Sequence, residues 1–465
     1  MSTSSETALG RFLTASGGQF HSALFPKQDS FGTSIYTSQS LPPSTSVVSC
    51  PFSLCVTPTL ARQSIPTSLF STPSEDNELL STRKHRYPNH ELLALYLILH
   101  LLPATLLSSF PNLDLQHQPY VDYLPSPDSM QTTLYFTPQE RSLLVGSNLH
   151  GATEDRKHGW KQEWEEIFGW VRDERVKKEV TWERWLWACT IISSRAFPSH
   201  LLDSDKTNST PVLFPGIDML NHKPTAKLTW SSDVHVVITR TAPDGKDGKG
   251  MLSIVIDEEV PADSQVFNTY GAKSNEELLL GYGFVLSTPN PADCVALKLS
   301  LPPNCSPALF DLLHTLKLEG MRHFVGRNGE LPKELQAQMR LLLSPPEEIQ
   351  ELSDKVEETK ESGKEIRWEE FVGFLGWETE LDMLDSLEGM LGSKMMALQA
   401  VDTSQGGEGV RENVREMIQV YRQGQIDILE KAIEFRDKLM EETMQRAAED
   451  GVELDFEGEE DDDEE

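Results

Sequence analysis

PVLFPGIDMLNHKP (residues 211–224) and VFNTYGAKSNEELLLGYGFVL (266–286) open and close the stretch that decides the fold of this chain. Both pieces place polar side chains and a tyrosine among apolar runs and glycine turns, a pattern typical of a shaped, buried pocket. SQVFNTYG, at the start of the second piece, predicts a last strand that runs into a glycine turn. Ser274 and Glu277 then have the spacing of a capping box, so a helix is predicted to begin at Ser274.

Two groups of short strands are predicted around this stretch, with helices between and after them. A buried helix (HELLALYLILHLL, 90–102) and a tryptophan-rich helical block at about 140–196 separate the two groups. Amphipathic helices follow from residue 303, introduced by the pairs Ser306-Pro307 and Pro345-Pro346. The predicted fold class is therefore α+β: short curled sheets, a helical insert and an all-α C-terminal domain. The predicted strands are FGTSIYT (31–37), TSVVSC (45–50), FSLCVT (52–57), LTWSS (228–232), VHVVITR (234–240) and MLSIVID (251–257).

These changes of pattern predict the domain bounds. Residues 1–20, rich in Ser, Thr and Gly, are expected to be irregular. Residues 21–287 are expected to form the β-rich domain, with its helical insert at about 87–200, and residues 303–447 the helical domain. The acidic run 448–465 is expected to be a disordered tail, because its like charges repel one another.

The charge of the chain narrows the class of partner. Its 465 residues carry a formal net charge of -32, and residues 449–465 alone hold twelve acidic side chains and no basic one. This balance argues against direct binding to nucleic acid and favours a basic protein partner, with solubility as the alternative role of the tail. A monomer is expected.

Compartment and metal content are predicted from the cysteines and the apolar runs. The five cysteines show neither CxxC spacing nor a paired histidine cluster, which indicates reduced thiols in the cytoplasm or nucleus and no metal site. The N-terminus MSTSSETALGRF does not have the pattern of a secretory signal. The most membrane-like run, Leu92 to Leu107, contains His100 and Pro103, which favours a buried helix over a membrane span.

Taken in order, SSRAF (193–197), FPGIDMLNH (214–222) and NTYGAKSNEELLLGYGF (268–284) resemble the SET-domain methyltransferases of the Rubisco large-subunit methyltransferase type. GTSIYTSQSL (32–41), the PYVDYLP stretch and YRQGQIDIL (421–429) match further segments, so the resemblance covers nearly the whole chain outside its two tails. It implies a SET fold split by a helical insert and followed by a helical substrate-binding domain. The chain departs from the family at Ser34, where the first loop usually has a second glycine.

The resemblance implies S-adenosylmethionine as cofactor and a lysine of a non-histone protein, for example a ribosomal or translation protein, as acceptor. Methyl transfer to an amine is an in-line displacement that requires alignment and exclusion of water. A free lysine has a pKa of about 10.4 and is mostly protonated at neutral pH. The pocket must therefore favour the uncharged amine, which desolvation in an aromatic channel and the nearby sulfonium both do.

The resemblance also assigns roles to single residues, each with a structural alternative. Tyr270 would place its hydroxyl beside the transferring methyl group and the lysine nitrogen, or it would only close the turn. Tyr282 would line the lysine channel and Phe284 would pack on the adenine, or both would face the buried side of the capped helix. Arg195 would bind the carboxylate of the cofactor in a forked manner, or form an interhelical salt bridge.

Two more segments are cofactor candidates on the same ground. Asn221 and His222 would contact the amino-acid and adenine parts of the cofactor, although an Asn-His pair taken alone is more typical of a turn. Asp218 would orient this segment through hydrogen bonds, or it would only support the local structure. The loop Phe31, Gly32 and Thr33 completes the set.

Two other functions stay open at this point. A histidine could replace lysine as the acceptor, since a histidine-selective pocket differs in channel shape more than in motif. A catalytically silent SET-like interaction module is the other alternative, supported only by Ser34 in the first loop.

Overall fold

The computed structural model describes residues 3–29, 32–70, 90–202, 209–232, 250–287, 289–302, 305–404 and 408–452. Phe31, the predicted strand 234–240 and most of the predicted acidic tail lie outside the described residues. The chain divides into two compact units. The first unit comprises residues 1–135, 153–272 and 280–283, and the second comprises residues 136–152, 273–279 and 284–465.

In its described residues, the first unit contains eight short strands: β1 (Gln19–Phe20), β2 (Leu24–Asp29), β3 (Gly32–Thr37), β4 (Thr45–Pro51), β5 (Phe197–Pro198), β6 (Pro211–Val212), β7 (Leu228–Ser232) and β8 (Met251–Ile256). Four of them make an antiparallel sheet in the order β1-β4-β8-β7, and β2-β3 and β5-β6 are separate antiparallel pairs. Central strand β4 is buried along most of its length, whereas β8 alternates half-buried and buried residues, as a strand with one face on a core does.

Helices make up the larger part of the described structure. They are α1 (Ala8–Ala15), α2 (Pro58–Ser64), α3 (His90–Leu99), α4 (Ala104–Leu107), α5 (Gln118–Val121), α6 (Pro138–Ser142), α7 (Asn148–Trp170), α8 (Glu174–Glu179), α9 (Trp182–Arg195), α10 (Asn275–Gly281), α11 (Pro307–Thr315), α12 (Lys333–Leu343), α13 (Pro346–Glu361), α14 (Trp377–Gln399) and α15 (Glu412–Glu449).

The core of the first unit contains helix α3 and the tryptophans of α9. Nine of the ten residues of α3 are buried, which confirms the helix predicted from its apolar run. Trp185 and Trp187 of α9 are buried as well, which agrees with a packing role for the tryptophan stripe. Across the described ranges, no helix combines the length and the apolar character needed to cross a membrane.

Three local predictions for the first unit are wrong. Residues 8–15 form α1 and are not irregular, because the Thr7 hydroxyl accepts from the Gly10 amide as an N-cap and Leu9 and Leu13 are buried. FSLCVT forms a single 3₁₀ turn over Phe52–Leu54 and no strand. SQVFNTYG forms only isolated bridges to its neighbours, since no continuous ladder runs along it.

Where the structure describes it, the second unit is helical apart from one antiparallel pair of strands. β9 (Cys294–Lys298) and β10 (Arg322–Gly326) pair along five residues, so the C-terminal part differs from the all-α expectation in these two strands. The predicted helix starts are confirmed: the Ser306 hydroxyl accepts from the Leu309 amide ahead of α11, and α13 begins at Pro346. α14 and α15 share one apolar core with the strand pair and with Leu335 and Met339 of α12. α11 and α13 form a second core with Ala337 and Leu341 of α12.

Candidate active site

Three segments that are distant in sequence meet in the first unit. The Asn268 amide donates to the Asn221 carbonyl at 2.8 Å, and the Lys223 amide donates to the Asn268 carbonyl at 2.9 Å. On the other side, the Val266 amide donates to the Ile35 carbonyl at 2.8 Å. Residues 266–268, which lead into NTYG, are therefore held through their main chain by strand β3 on one side and by the segment that carries Asn221 on the other.

Tyr270 lies between two other rings of this unit. Its ring stacks on His222 at a centroid distance of 4.9 Å and on Tyr282 at 5.0 Å, with interplanar angles of 20° and 24°. Its amide donates to Nδ1 of His222 at 3.0 Å, and its hydroxyl donates to the Leu220 carbonyl at 3.0 Å. The structure thus brings together three of the predicted site residues in one stack.

Burial shifts the pKa of Tyr270 and the pKa of His222 each in the direction that favours the uncharged form. Burial raises the pKa of the Tyr270 phenol far above its ordinary value, although the nearby Arg195 charge acts in the opposite direction. Burial also lowers the pKa of His222. Because Nδ1 of His222 accepts a main-chain N–H, its ring proton is assigned to Nε2. The stack therefore offers oriented polar atoms without adding charge.

Arg195, Asp218 and Tyr120 form a buried polar network. Nη1 of Arg195, the last residue of α9, donates to the Asp218 carbonyl at 2.8 Å and to Oδ2 of Asp218 at 3.3 Å. The Tyr120 hydroxyl donates to the same Oδ2 at 2.8 Å. The Asp218 side chain is only 1% exposed, so its charge is compensated by Arg195 and not by bulk water.

Arg195 forms a salt bridge, which was the alternative to cofactor binding, but its partner Asp218 lies in a 3₁₀ turn and not in a second α-helix. The salt bridge leaves part of the guanidinium available. Burial raises the pKa of Asp218, and Arg195 followed by the Tyr120 hydroxyl opposes that rise. Among the described residues, Nε and Nη2 of Arg195 make no further hydrogen bond. A planar guanidinium with two donors in reserve remains suited to binding a carboxylate. Its role toward the cofactor stays a prediction.

Ser34, where the chain departs from the G-x-G pattern, is bonded to another predicted site residue. It is fully buried in β3, and its Oγ accepts a hydrogen bond from the side-chain amide of Asn221 at 2.8 Å. Asn221 itself is half-buried. The serine therefore connects the first loop to the Asn-His segment, a contact that a glycine could not make.

The other residues predicted to bind the cofactor are Phe31, Gly32, Thr33 and Phe284. Gly32 begins β3 with φ +93°, a conformation that favours glycine, and Thr33 accepts from the Gln28 side chain at 2.7 Å. Phe31 is outside the described residues. Phe284 is half-buried and belongs to the second unit, so its contact with adenine stays a prediction.

Gly283, the residue after Tyr282, is required by its surroundings. Its φ is +82°, and a Cβ there would lie 2.8 Å from the Gln131 carbonyl carbon and 2.8 Å from the Thr132 nitrogen. Because both neighbours are main-chain atoms, they cannot rotate away. The close approach holds Tyr282 at its place beside Tyr270.

Sequence reasoning missed several polar partners in this site. Tyr120 has no sequence signal beyond its place in PYVDYLP. The indole of Trp230 donates to Oδ1 of Asn268 at 3.0 Å, and no spacing in the sequence indicates this pairing. Two buried polar atoms, Oδ1 of Asp218 and Nδ2 of Asn268, have no hydrogen-bond partner in the described part of the chain. An unsatisfied acceptor and an unsatisfied donor fit a ligand that carries both ammonium and carboxylate or ring-nitrogen groups, as S-adenosylmethionine does.

Comparison with known proteins finds relatives that are named as protein-lysine methyltransferases. No family model matches the chain. It is 28% identical to Ribosomal lysine N-methyltransferase set10 of Schizosaccharomyces pombe over 430 residues, which cover 90% of this chain and 68% of that protein. It is 28% identical to Ribosomal lysine N-methyltransferase 1 of Saccharomyces cerevisiae over 235 residues, or 43% of this chain and 37% of that protein.

The fold has solved counterparts. The crystal structure of the SET domain of LSMT bound to lysine and AdoHcy matches with a TM-score of 0.69 and 18% identity, and the match covers 96% of each chain. At this identity the likeness shows the fold. It confirms the predicted α+β arrangement of short sheets and helices.

Proposed function

We propose that this chain is a SET-domain protein-lysine N-methyltransferase of the Rubisco large-subunit methyltransferase type that uses S-adenosylmethionine. We propose further that its acceptor is a lysine of a non-histone protein, with a ribosomal protein as first candidate. The two relatives named as ribosomal lysine methyltransferases support this choice. The chain spans little more than a third of the second relative, so the substrate is part of the proposal.

The stack of His222, Tyr270 and Tyr282 is the observation that carries the proposal. A lysine chain that enters beside stacked rings loses water from its ammonium group, which favours the neutral amine. A phenol with the ordinary pKa of about 10 is already protonated at neutral pH, and burial raises the pKa of Tyr270 further. Tyr270 therefore presents a polar oxygen without a negative charge that would hold the lysine in its cationic form. Its bond to the Leu220 carbonyl fixes the orientation of that oxygen.

The residues around the stack fit the cofactor. S-adenosylmethionine supplies the methyl group on a sulfonium, which needs no metal or covalent enzyme intermediate. Arg195 would bind the cofactor carboxylate through Nε and Nη2, and Oδ1 of Asp218 would accept from its ammonium group. Asn221 and His222 would bind the rest of the cofactor from the segment that Ser34 holds in place.

The charge of the chain supports a basic substrate. A net charge of -32 attracts cationic proteins over distances set by ionic strength, and ribosomal proteins are of this kind. We further propose that the protein acts as a monomer in the cytoplasm or nucleus. If methyl labelling of the substrate falls steeply as salt is added, this would support electrostatic attraction between the enzyme and a basic substrate.

The experiment uses purified protein, methyl-labelled S-adenosylmethionine and isolated ribosomal proteins. Wild-type protein is expected to label a discrete band, and Tyr270→Phe is expected to lose more than about 100-fold in rate while it still binds the cofactor. Tyr135→Phe is the matched control, since it also removes a hydrogen-bonded hydroxyl, 3.1 Å from Thr190, outside the stack.

The product decides between the open alternatives. Methyl-lysine after hydrolysis of the labelled band supports the proposal, whereas methyl-histidine moves the acceptor to histidine. If ribosomal proteins and a whole-cell extract both stay unlabelled although calorimetry shows cofactor binding, the proposed activity is refuted. A protein that binds no S-adenosylmethionine would instead be a silent SET-like module.

A further inference from the structure

We propose that His90, Glu163 and Cys189 form a zinc-binding site in the helical part of the first unit, sharing no residue with the stack around Tyr270. His90 begins α3, Glu163 lies in the second half of α7 and Cys189 lies in α9. One nitrogen, oxygen or sulfur atom from each residue lies within 4.8 Å of the corresponding atoms of the other two.

The spacing of these atoms suits a small divalent cation. Zinc binds imidazole nitrogen, carboxylate oxygen and cysteine sulfur at about 2.0–2.3 Å, so tetrahedral ligand atoms stand roughly 3.3–3.8 Å apart. Nδ1 of His90 and an oxygen of Glu163 are already 3.7 Å apart. The upper limit of 4.8 Å exceeds the tetrahedral spacing by about 1 Å. A change of that size is within reach of side-chain rotation on fixed helices.

A second observation points to a cation at this place. Oε2 of Glu163 is buried, and no hydrogen bond to it occurs among the residues that the structure describes. A buried carboxylate oxygen without a donor costs free energy, and a bound cation compensates it directly. Oε2 is also the atom that faces His90 at 3.7 Å.

The surroundings of the three residues favour a defined site with access from solvent. The His90 ring stacks on Trp160, which lies one turn before Glu163 on α7, with a centroid distance of 6.3 Å and an interplanar angle of 23°. The Glu163 side chain is 27% exposed and gives an entry path, while His90 and Cys189 are buried. A water would complete the fourth position.

Such an ion would tie three helices of the insert together. Each ligand comes from a different helix, and methyl transfer itself needs no metal. Zinc is therefore expected to act on stability, raising the melting temperature when it binds the folded chain and not the unfolded one. A competing view is that His90 and Glu163 form only an ion pair beside a buried thiol.

Metal binding by untagged full-length protein distinguishes the two views. After equilibration with Zn²⁺ and gel filtration, we expect about one zinc per chain by elemental analysis. Substitution by Co²⁺ is expected to produce the near-ultraviolet band of a thiolate-to-cobalt charge transfer. Cys189→Ser should abolish that band, and Glu163→Gln should weaken zinc binding by more than about tenfold.

Cys55→Ser is the matched control, because Cys55 is also a buried thiol in the same core but outside the cluster. It is expected to keep the zinc and the band. The proposal is overturned if the wild-type chain retains no zinc, or if Cys55→Ser loses as much zinc as Cys189→Ser. Should Cys189→Ser fail to fold, zinc binding by Glu163→Gln tests the proposal instead, since this substitution removes one charge at a half-buried position.

Discussion

Ser34→Ala tests whether the serine in the first loop supports cofactor binding. The substitution removes the Oγ that accepts from the Asn221 side chain at 2.8 Å and leaves the strand otherwise unchanged. Ser34 is fully buried, so no water takes its place at β3 without rearrangement. Asn221 would keep its main-chain bond to Asn268 but lose the contact that orients its side chain.

The size of the effect follows from that one bond. A neutral hydrogen bond contributes about 0.5–1.5 kcal/mol, and a half-buried amide left without its acceptor falls in the same range. We therefore expect the free energy of unfolding to fall by about 1 kcal/mol. If the same orientation is needed by the cofactor, its Kd should rise roughly fivefold, since 1.4 kcal/mol corresponds to tenfold.

Calorimetric titration with S-adenosylmethionine and urea unfolding measure the two quantities. Ser40→Ala serves as the control, since its hydroxyl is bonded to Glu259 on the exposed surface. That control should change stability by less than about 0.5 kcal/mol and leave the cofactor Kd unchanged. If Ser34→Ala binds the cofactor as wild type does, the coupling between the first loop and Asn221 is refuted.

Two further changes have defined outcomes. Gly283→Ala should reduce the rate of methyl transfer at least about tenfold and lower the melting temperature. The added Cβ, at φ +82°, would collide with the main chain at Thr132 and displace Tyr282. An unchanged rate of methyl transfer would contradict this. Burial raises the pKa of Glu140, but the bonds from Arg411 outweigh it, so the net pKa is lowered. The stability that this pair contributes is therefore present at neutral pH and is lost as the pH falls through the lowered pKa. In Glu140→Gln, the free energy of unfolding measured by urea unfolding should therefore depend less steeply on pH in the acid range.

Much of the site could be predicted from sequence because its residues fall in short, ordered motifs. Tyr270 and Tyr282 come from one contiguous stretch, and the capping box before α10 is local, with the Ser274 amide donating to Glu277 at 2.9 Å. Helix starts at Ser306 and Pro346 are likewise determined by residues within one turn. Local signals of this kind depend on backbone geometry and not on the rest of the fold.

Other features required contacts between distant segments. The pairing of Arg195 with Asp218 and Tyr120 joins an α9 terminus, a 3₁₀ turn and a short helix, and no spacing in the sequence indicates it. The prediction that residues 1–20 are irregular was wrong because it rested on composition and did not include the N-cap that Thr7 forms for α1. The strand expected at SQVFNTYG failed because its neighbours offer single bridges only.

The sequence by itself determined most of the order of strands and helices and the motifs that resemble those of SET-domain methyltransferases, since apolar periodicity and capping act within a few residues. Only the tertiary structure decided that Ser34 holds Asn221 and that the Tyr270 ring lies between His222 and Tyr282. It alone also brought His90, Glu163 and Cys189 within 4.8 Å, although cysteine spacing had predicted no metal site. Packing of separate elements on shared cores sets such distances, and sequence spacing carries no record of them.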